Sequence, residues 1–140
     1  VSENCKTKKS ILEKISELLS KPSGINRNDI FAKLYEREKL GSTSIGKGVA
    51  IPHARIHNIE YPFLSIMILD EPVDFDNIDS LDVDIIASLI VPEENFSNHL
   101  ELLAYLSNKL DDPFIRKELR QARNSSQIIK NLRSDDLEFI

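Results

Sequence analysis

The spacing of hydrophobic residues divides this chain into helical and extended parts. Over residues 7–20, apolar side chains recur every three or four positions, and Lys and Glu occupy many of the positions between them. This is the pattern of an amphipathic helix. Pro22 and Gly24 are expected to end it. The apolar positions are Ile11, Ile15, Leu18 and Leu19.

A second helix is predicted after a short break. Asn26 or Asn28 is expected to cap its first turn, because an Asn side chain accepts hydrogen bonds from backbone N–H groups that have no partner within the helix. The helix is predicted to run to about Lys39, and Gly41 is expected to stop it.

The middle of the chain has the composition of buried β-strands. Short runs rich in Ile, Val and Leu predict strands at residues 49–51, 63–69 and 83–91, and prolines separate these runs. The period becomes helical again over residues 95–110. Three strands with two helices before them and another helix after them favour a sheet covered by helices.

Two further helices are predicted towards the end of the chain. The run Asp111-Asp112-Pro113 is expected to open a short helix that continues through Leu119, because Asp caps a helix and Pro suits its first turn. Ser125 or Ser126 is expected to cap a last one. Helices on both sides of the strands predict an α/β fold in a single domain over residues 1–140.

The composition narrows the classes of function. The chain has 140 residues, of which 41% are hydrophobic and 29% charged, as in one soluble globular domain. The longest apolar runs, such as residues 85–91, are too short to span a bilayer, and the first residues lack a secretory signal, so a cytoplasmic protein without membrane insertion is expected. The net charge of −5 argues against nucleic-acid binding. Cys5 is the one cysteine, which excludes an internal disulfide.

His53 carries the strongest chemical signal. It follows the predicted strand 49–51 and Pro52, which holds the chain extended, and ligand sites of α/β sheets lie at strand ends. A neutral imidazole is a nucleophile near pH 7, because its pKa is about 6.5, so His53 can accept and return a phosphoryl group. Gly46 and Gly48 would let the backbone approach an anion, but no nucleotide fingerprint accompanies them, and no cofactor is expected.

A phosphoryl acceptor needs neighbours that stabilise the charge of the transferred group. Arg37 and Arg55 can bind phosphate through the forked donors of a guanidinium group. Ser42 and Thr43 can donate hydroxyl hydrogen bonds. Each of these four residues is also common on surfaces or in loop caps, so the residue types alone leave both interpretations open.

His99 falls on the apolar face of the helix predicted over residues 95–110. A histidine there is either a core residue or a group that orients His53 or donates a hydrogen bond to its phosphoryl group. A zinc site made by His53, His57 and His99 is a rival interpretation, because three imidazoles can hold a catalytic zinc. Their sequence spacing matches no known ligand signature.

The stretch of residues 70–84 contains seven carboxylates and no Lys or Arg. Asp74, Asp76 and Asp79 suggest a calcium loop, but such a loop needs Gly at its sixth position and Glu at its twelfth. This chain has Asp79 and Ile85 there. We therefore interpret the stretch as a solvated surface that can steer a cationic partner.

The run from Arg37 to His53, Arg-Glu-Lys-Leu-Gly-Ser-Thr-Ser-Ile-Gly-Lys-Gly-Val-Ala-Ile-Pro-His, resembles a known active-site segment. It is similar to that of the enzyme IIA domains of the bacterial phosphoenolpyruvate-dependent phosphotransferase system, in the fructose/mannitol class. The similarity continues through residues 72–76, 91–94 and 99–104 and ends at residues 116–122. These later segments look most like the nitrogen-regulatory branch of the class.

This resemblance implies a mixed sheet of about five strands with helices on both faces. It also implies a histidine that is phosphorylated by the phosphocarrier HPr or its nitrogen-branch equivalent. His53 matches that histidine, His99 matches the family's second active-site histidine, and Arg37 matches its active-site arginine. The family often has Gly-Lys or Gly-Thr after the histidine, where this chain has Ala54-Arg55, so no direct phosphate role is assigned to Arg55.

The resulting hypothesis is a phosphoryl-accepting protein that acts mainly as a regulatory, nitrogen-related switch, without metal or nucleotide. His53 would be the acceptor, His99 and Arg37 would stabilise the transfer, and Ser42 and Thr43 would contact the substrate. One alternative is a sugar-specific IIA domain that passes phosphate to the IIB domain of a transporter. Another is a non-catalytic interaction domain whose acidic segment binds a basic partner.

Overall fold

Four helices and six strands make up the described part of the chain, which in this computed structural model comprises residues 2–3, 7–75, 81–94 and 96–122. The predicted last helix, at Ser125 or Ser126, lies outside these residues, and the extent of the domain over residues 1–140 stays a prediction. In chain order the elements are β1 (Ser2–Glu3), α1 (Lys8–Ser23), α2 (Arg27–Lys39), β2 (Ser44–Gly46), β3 (Val49–Ala50), β4 (His53–Ile56), β5 (Phe63–Val73), β6 (Val83–Pro92), α3 (Phe96–Leu110) and α4 (Pro113–Gln121).

α1 is longer than the sequence predicted. It begins after Thr7, whose side chain accepts a hydrogen bond from the Ser10 N–H, and it continues through Pro22 to Ser23. The prediction that Pro22 ends the helix is wrong: it lies in the last turn, where its missing N–H and its ring disturb only the contact with the carbonyl four residues back. The chain leaves the helix at Gly24, which has a φ of 74° and whose N–H donates to the Ser20 carbonyl at 3.0 Å.

The beginnings of α2 and α4 agree with the predicted caps. The Asn26 side chain accepts a hydrogen bond from the Asn28 N–H at 2.8 Å. The Asp112 side chain accepts one from the Phe114 N–H at 2.9 Å, and proline occupies the first position of α4. α3 covers most of the region where the apolar period predicted a helix.

β6 lies at the centre of a mixed sheet. β5 pairs with it antiparallel on one side, while β3 and β4 pair with it parallel on the other. β2 is antiparallel to β3 at one edge, and β1 is parallel to β5 at the other. The mixed α/β architecture that the resemblance implied is therefore confirmed.

β3 and β4 are two parts of one extended run. Val49 lies opposite Ile85 and His53 lies opposite Leu89, so the register with β6 is kept across Pro52. Proline has no N–H to donate to the ladder, but its carbonyl still accepts a hydrogen bond from the Leu89 N–H at 2.9 Å. His53 therefore begins a second strand, which the sequence analysis did not predict, instead of following the last residue of the strand.

Helices cover both faces of the sheet, and each face has its own core. α1 and α2 pack on one face, with fully buried residues such as Ile11, Ile30 and Ile86. α3 and α4 pack on the other, with Ile85, Leu106 and other buried side chains. No helix of the described residues is both long enough and apolar enough to cross a membrane.

Candidate functional site

The alternation of β4 places His53 on the face of the sheet that α3 covers. Ala54 and Ile56 belong to the core beneath α1 and α2, and side chains alternate along a strand, so His53 and Arg55 belong to the opposite face. His99, near the start of α3, meets His53 there. Their ring centroids are 6.2 Å apart, and the ring planes are inclined at 81°.

Both histidines line an open cleft of about 500 Å³. Arg37, in the last turn of α2, lines the same cleft, and its Nη1 donates a hydrogen bond to the Gly41 carbonyl at 2.9 Å. The structure thus brings together His53, His99 and Arg37, the three residues that the resemblance matched to the family's active-site residues. Arg55 lines the cleft as well, although the resemblance gave it no phosphate role.

The sequence analysis missed several charged residues of the cleft. They are Lys33, Glu36 and Glu93. Lys33 lies one helical turn before Arg37, so helical spacing could have placed it beside that arginine. Glu93 comes directly after β6, and only the pairing of β6 with β4 brings it near the site.

The ring of His53 is held by its own backbone. Its Nδ1 lies 2.8 Å from the Ile51 carbonyl oxygen. A carbonyl oxygen can only accept a hydrogen bond, so Nδ1 carries the proton and Nε2 keeps a lone pair. The neutral tautomer is therefore the one that offers Nε2 as a nucleophile.

Burial lowers the pKa of His53 below the ordinary value of 6.5. The hydrogen bond to the Ile51 carbonyl and the charge of Glu38 act in the opposite direction, while the charge of Arg37 lowers the pKa further. Because the net effect is a lowering, the imidazole is neutral at pH 7. That is the form that can attack an electrophile.

His99 is also kept neutral by its surroundings. Its side chain is buried, and burial lowers its pKa below 6.5. The neighbouring His53 and the charge of Arg55 lower the pKa of His99 further. The site thus holds two adjacent neutral imidazoles beside arginine side chains, which is a favourable setting for an incoming anion.

Ser42 and Thr43 are not among the residues that line the cleft. The Ser42 hydroxyl donates to the Phe75 carbonyl and accepts a hydrogen bond from the Ser44 N–H at 3.1 Å. Thr43 is buried, and its N–H donates to Glu38 Oε1 at 3.1 Å. These contacts shape the loop between α2 and β2, and a role of either hydroxyl in substrate binding stays a prediction.

The zinc interpretation of the three histidines is wrong. His57 does not line the cleft of His53 and His99, and its Nδ1 lies 2.6 Å from Glu93 Oε2 at the surface. Among the residues that the structure describes, no group of three or more His, Cys, Asp or Glu could hold a metal ion. Asp76 and Asp79 of the acidic stretch lie outside the described residues.

The chain resembles known proteins over most of its length. Residues 1–135 match the family described as "Phosphoenolpyruvate-dependent sugar phosphotransferase system, EIIA 2". The chain is 42% identical over 117 residues to a nitrogen regulatory protein of Pseudomonas aeruginosa, which covers 83% of this chain and 76% of that relative. A fructose-specific EIIABC component of Bacillus subtilis is 28% identical over 132 residues, which are 94% of this chain and 21% of that protein.

The fold of the chain also agrees closely with that of a solved structure. The crystal structure of the nitrogen regulatory protein IIA-Ntr from Neisseria meningitidis superposes with a TM-score of 0.91 and 34% sequence identity. The match covers 95% of this chain and 91% of the other.

Proposed function

The chain belongs to the EIIA 2 family of the phosphoenolpyruvate-dependent sugar phosphotransferase system, and we propose that Nε2 of its His53 accepts a phosphoryl group from an HPr-like phosphocarrier. The observation that carries this proposal is the hydrogen bond of His53 Nδ1 to the Ile51 carbonyl at 2.8 Å. It leaves Nε2 as the nitrogen with a lone pair, on a ring that is neutral at pH 7.

The transfer step needs no added base. The Nε2–P bond forms while the bond between phosphorus and the donor breaks, and the electron pair of that bond stays with the donor. His53 keeps its Nδ1 proton throughout, so the phosphorylated ring carries positive charge close to the Ile51 carbonyl. The partial negative charge of that oxygen favours the phosphorylated ring.

Arg37 and His99 are proposed to stabilise the phosphoryl group. Its oxygens bring a charge of about −1.5 to −2, and a guanidinium group binds such oxygens with planar, paired donors. Arg37 lines the cleft of His53, and the ring of His99 lies 6.2 Å from that of His53 between centroids. A neutral His99 can donate one hydrogen bond to a phosphoryl oxygen, from the ring nitrogen that carries its proton.

The proposed role is mainly that of a regulatory, nitrogen-related switch. The support is that a protein described as nitrogen regulatory is 42% identical, whereas a fructose-specific transport component is 28% identical. A switch of this kind would exchange phosphate with its carrier in the cytoplasm, and the phosphorylation state of His53 would decide which partner proteins are bound.

The experiment is to incubate the chain with phosphoenolpyruvate, enzyme I and HPr and to follow its intact mass. We expect the wild type to gain one phosphoryl group that is labile in acid, as a phosphohistidine is, and His53→Ala to gain none. His57→Ala is the matched control, because His57 is exposed and lies outside the cleft. Phosphorylation of His53→Ala would contradict the assignment of the acceptor.

The same phosphorylation experiment distinguishes between the two alternative functions. Rapid discharge onto a purified fructose-type IIB domain would favour the sugar-specific role over the regulatory one. Absence of phosphorylation with every HPr-type donor would instead favour the non-catalytic interaction domain.

A further inference from the structure

We infer that Glu38 is a positioning residue for His53 and that it acts through a ladder of three consecutive hydrogen bonds. Glu38 does not line the cleft, so it is not expected to touch the phosphoryl group. The inference concerns the geometry of the ring, and its consequence for transfer rests on the proposed function.

The ladder begins at the Glu38 carboxylate, which lies in the last turn of α2. Its Oε1 accepts a hydrogen bond from the Thr43 N–H at 3.1 Å. The Thr43 carbonyl in turn accepts one from the Ile51 N–H at 3.0 Å. The Ile51 carbonyl accepts the last one from Nδ1 of His53 at 2.8 Å.

The burial of Glu38 indicates that its side chain has a specific use. The residue is 7% exposed, and its Oε1 also lies 3.0 Å from Lys8 Nζ on α1. Taking an ion pair out of water is expensive, and apolar replacements often stabilise a fold equally well. Within the described residues Glu38 Oε2 is buried and has no hydrogen-bond partner, so the carboxylate is not placed to maximise its own bonds. What the carboxylate does secure is the Thr43 backbone.

The coupling along the ladder is positional. The N–H and the C=O of Thr43 belong to different peptide units, as do those of Ile51, so polarisation of one bond is interrupted at each Cα atom. A displacement, in contrast, can be passed along all three bonds, because each hydrogen bond fixes the distance between the two groups that it joins. Glu38 therefore sets where Thr43 lies, Thr43 sets where Ile51 lies, and Ile51 selects the His53 tautomer.

The alternative interpretation is that Glu38 has only a structural role. It would then hold the loop after α2 in place without affecting the tautomer of the His53 ring. The two interpretations differ in what happens to the proton of His53. If the Ile51 carbonyl moves, the ring loses its acceptor at Nδ1 and the other tautomer becomes populated, in which Nε2 carries the proton and cannot attack.

Two substitutions of Glu38 distinguish the effect of its side-chain length from the effect of its charge. Glu38→Gln keeps an oxygen at the same reach for the Thr43 N–H but removes the charge. Glu38→Asp keeps the charge but is one methylene shorter. Lys8→Met is the control, because it removes the partner of the ion pair and leaves the ladder intact. The measurements are the tautomer of His53 by ¹H–¹⁵N correlation of its ring, the rate of phosphorylation by phospho-HPr, and thermal unfolding.

We expect Glu38→Gln and Lys8→Met to keep the Nδ1–H tautomer and to be phosphorylated within about threefold of the wild-type rate. Glu38→Asp is expected to show a mixed tautomer and a rate lower by about 10- to 100-fold, because a shift of about 1 Å in a reacting group can cost that much. Glu38→Ala should behave like Glu38→Asp if it folds.

The inference is overturned if Glu38→Asp keeps both the tautomer and the rate of the wild type, or if Glu38→Gln is the impaired variant while Glu38→Asp is not. The second result would mean that charge, and not reach, is what matters. If wild-type His53 is not phosphorylated at all, the proposed function fails. The tautomer measured in Glu38→Asp still decides the role of Glu38 in that case.

Discussion

At the scale of single residues, the site depends on keeping an imidazole neutral beside a cation. Burial lowers the pKa of His53, and the charge of Arg37 acts in the same direction. The arginine that would bind the phosphoryl group therefore also helps to keep the acceptor deprotonated before the phosphate arrives. In the proposed function one side chain would serve both states, since its charge repels a proton on His53 and would attract an anion on it.

This double role predicts how the site responds to pH and to the loss of Arg37. The pKa of His53 in the wild type should be below 6.5, and in Arg37→Met it should be higher, because the lowering effect of the charge is gone. Phosphorylation of Arg37→Met should nevertheless be slower, by about 100-fold, because the phosphoryl group loses a preorganised donor. NMR titration of His53 gives the pKa, and the mass assay gives the rate. Arg27→Met, at the exposed start of α2, is the control.

The same lowered pKa fixes the sign of the effect on stability. As pH falls, the unfolded chain binds its proton near 6.5, before the folded His53 does, so the folded state loses stability from about pH 6.5 downwards until His53 itself is protonated. His53→Asn should make this part of the stability curve less steep, and the slope that remains is expected from the lowered pKa of His99. A wild-type pKa above 6.5, or no change in Arg37→Met, would contradict the electrostatic account.

The identity of the site residues could be predicted from sequence more completely than their surroundings. His53 was singled out by its chemistry and its place after a predicted strand, the family resemblance favoured His99 and Arg37 among the candidates, and the structure brings the three into one cleft. The membership of Arg55 depends on strand alternation in β4, and β4 was not predicted. A four-residue strand that begins with His and follows Pro has too short a pattern to indicate a strand by itself.

At the scale of elements, the turn between β2 and β3 is held by the distant helix α4. Its two residues, Lys47 and Gly48, have positive φ, as does Gly46 at the end of β2. Arg120 of α4 forms two hydrogen bonds with Asp84, and its Nη2 also donates to the Lys47 carbonyl at 3.0 Å. The turn, the start of β6 and α4 are thus fixed to one another at the end of the sheet opposite to the histidines.

The contact with Arg120 predicts an unequal cost for two glycine substitutions. A Cβ atom on Gly48 would lie 2.6 Å from Arg120 Nη2 and 3.0 Å from Asp84 Oδ1, whereas one on Gly24 would meet nothing within 4 Å. Both glycines have positive φ. Gly24→Ala should therefore cost about 1 kcal/mol for backbone strain alone, and Gly48→Ala about 2 kcal/mol, because it also displaces the Arg120 pair.

Chemical denaturation of both variants measures this difference in the free energy of unfolding. Arg120→Ala in the Gly48→Ala background tests its cause, since the pair would already be lost and the second substitution should then cost less than it does in the wild type. Equal costs for the two glycines would show that the contact with Arg120 contributes nothing.

The helices and long strands were the most predictable elements, and their ends and the short strands were the least. α2 and α4 begin where Asn26 and Asp112 indicated, because a side-chain cap is a local interaction. β5 continues past its predicted end at residue 69 to Val73, through Asp70, Glu71 and Pro72, which are exposed and interrupt the apolar pattern. Val73 pairs with Val83 of β6 after a shift in register, and this tertiary interaction accounts for the end of the strand.

At the scale of the whole molecule, the sheet separates two cores, and only one of them lies on the face of the sheet that carries His53. The core beneath α1 and α2 lies on the face away from the His53 side chain. The core beneath α3 and α4 lies on the same face as His53, and β6 supplies residues to both. A packing defect at any position of the second core should therefore lower the stability of the fold. It should affect the candidate site only if it lies next to that site.

Two buried residues of β6 make this expectation testable. Leu89 and Ile85 belong to the same core and are almost fully buried, but Leu89 lies opposite His53, while Ile85 lies opposite Val49. Replacing either by Ala should lower the free energy of unfolding by about 2–5 kcal/mol, since both leave a cavity.

Directly opposed side chains of paired strands share a face, so the cavity of Leu89→Ala adjoins the ring of His53. Under conditions where both variants are folded, Leu89→Ala should slow phosphorylation by about tenfold, and Ile85→Ala should leave it nearly unchanged. Equal slowing in the two variants would mean that the site responds to overall stability, and that the register of β4 on β6 does not localise the effect.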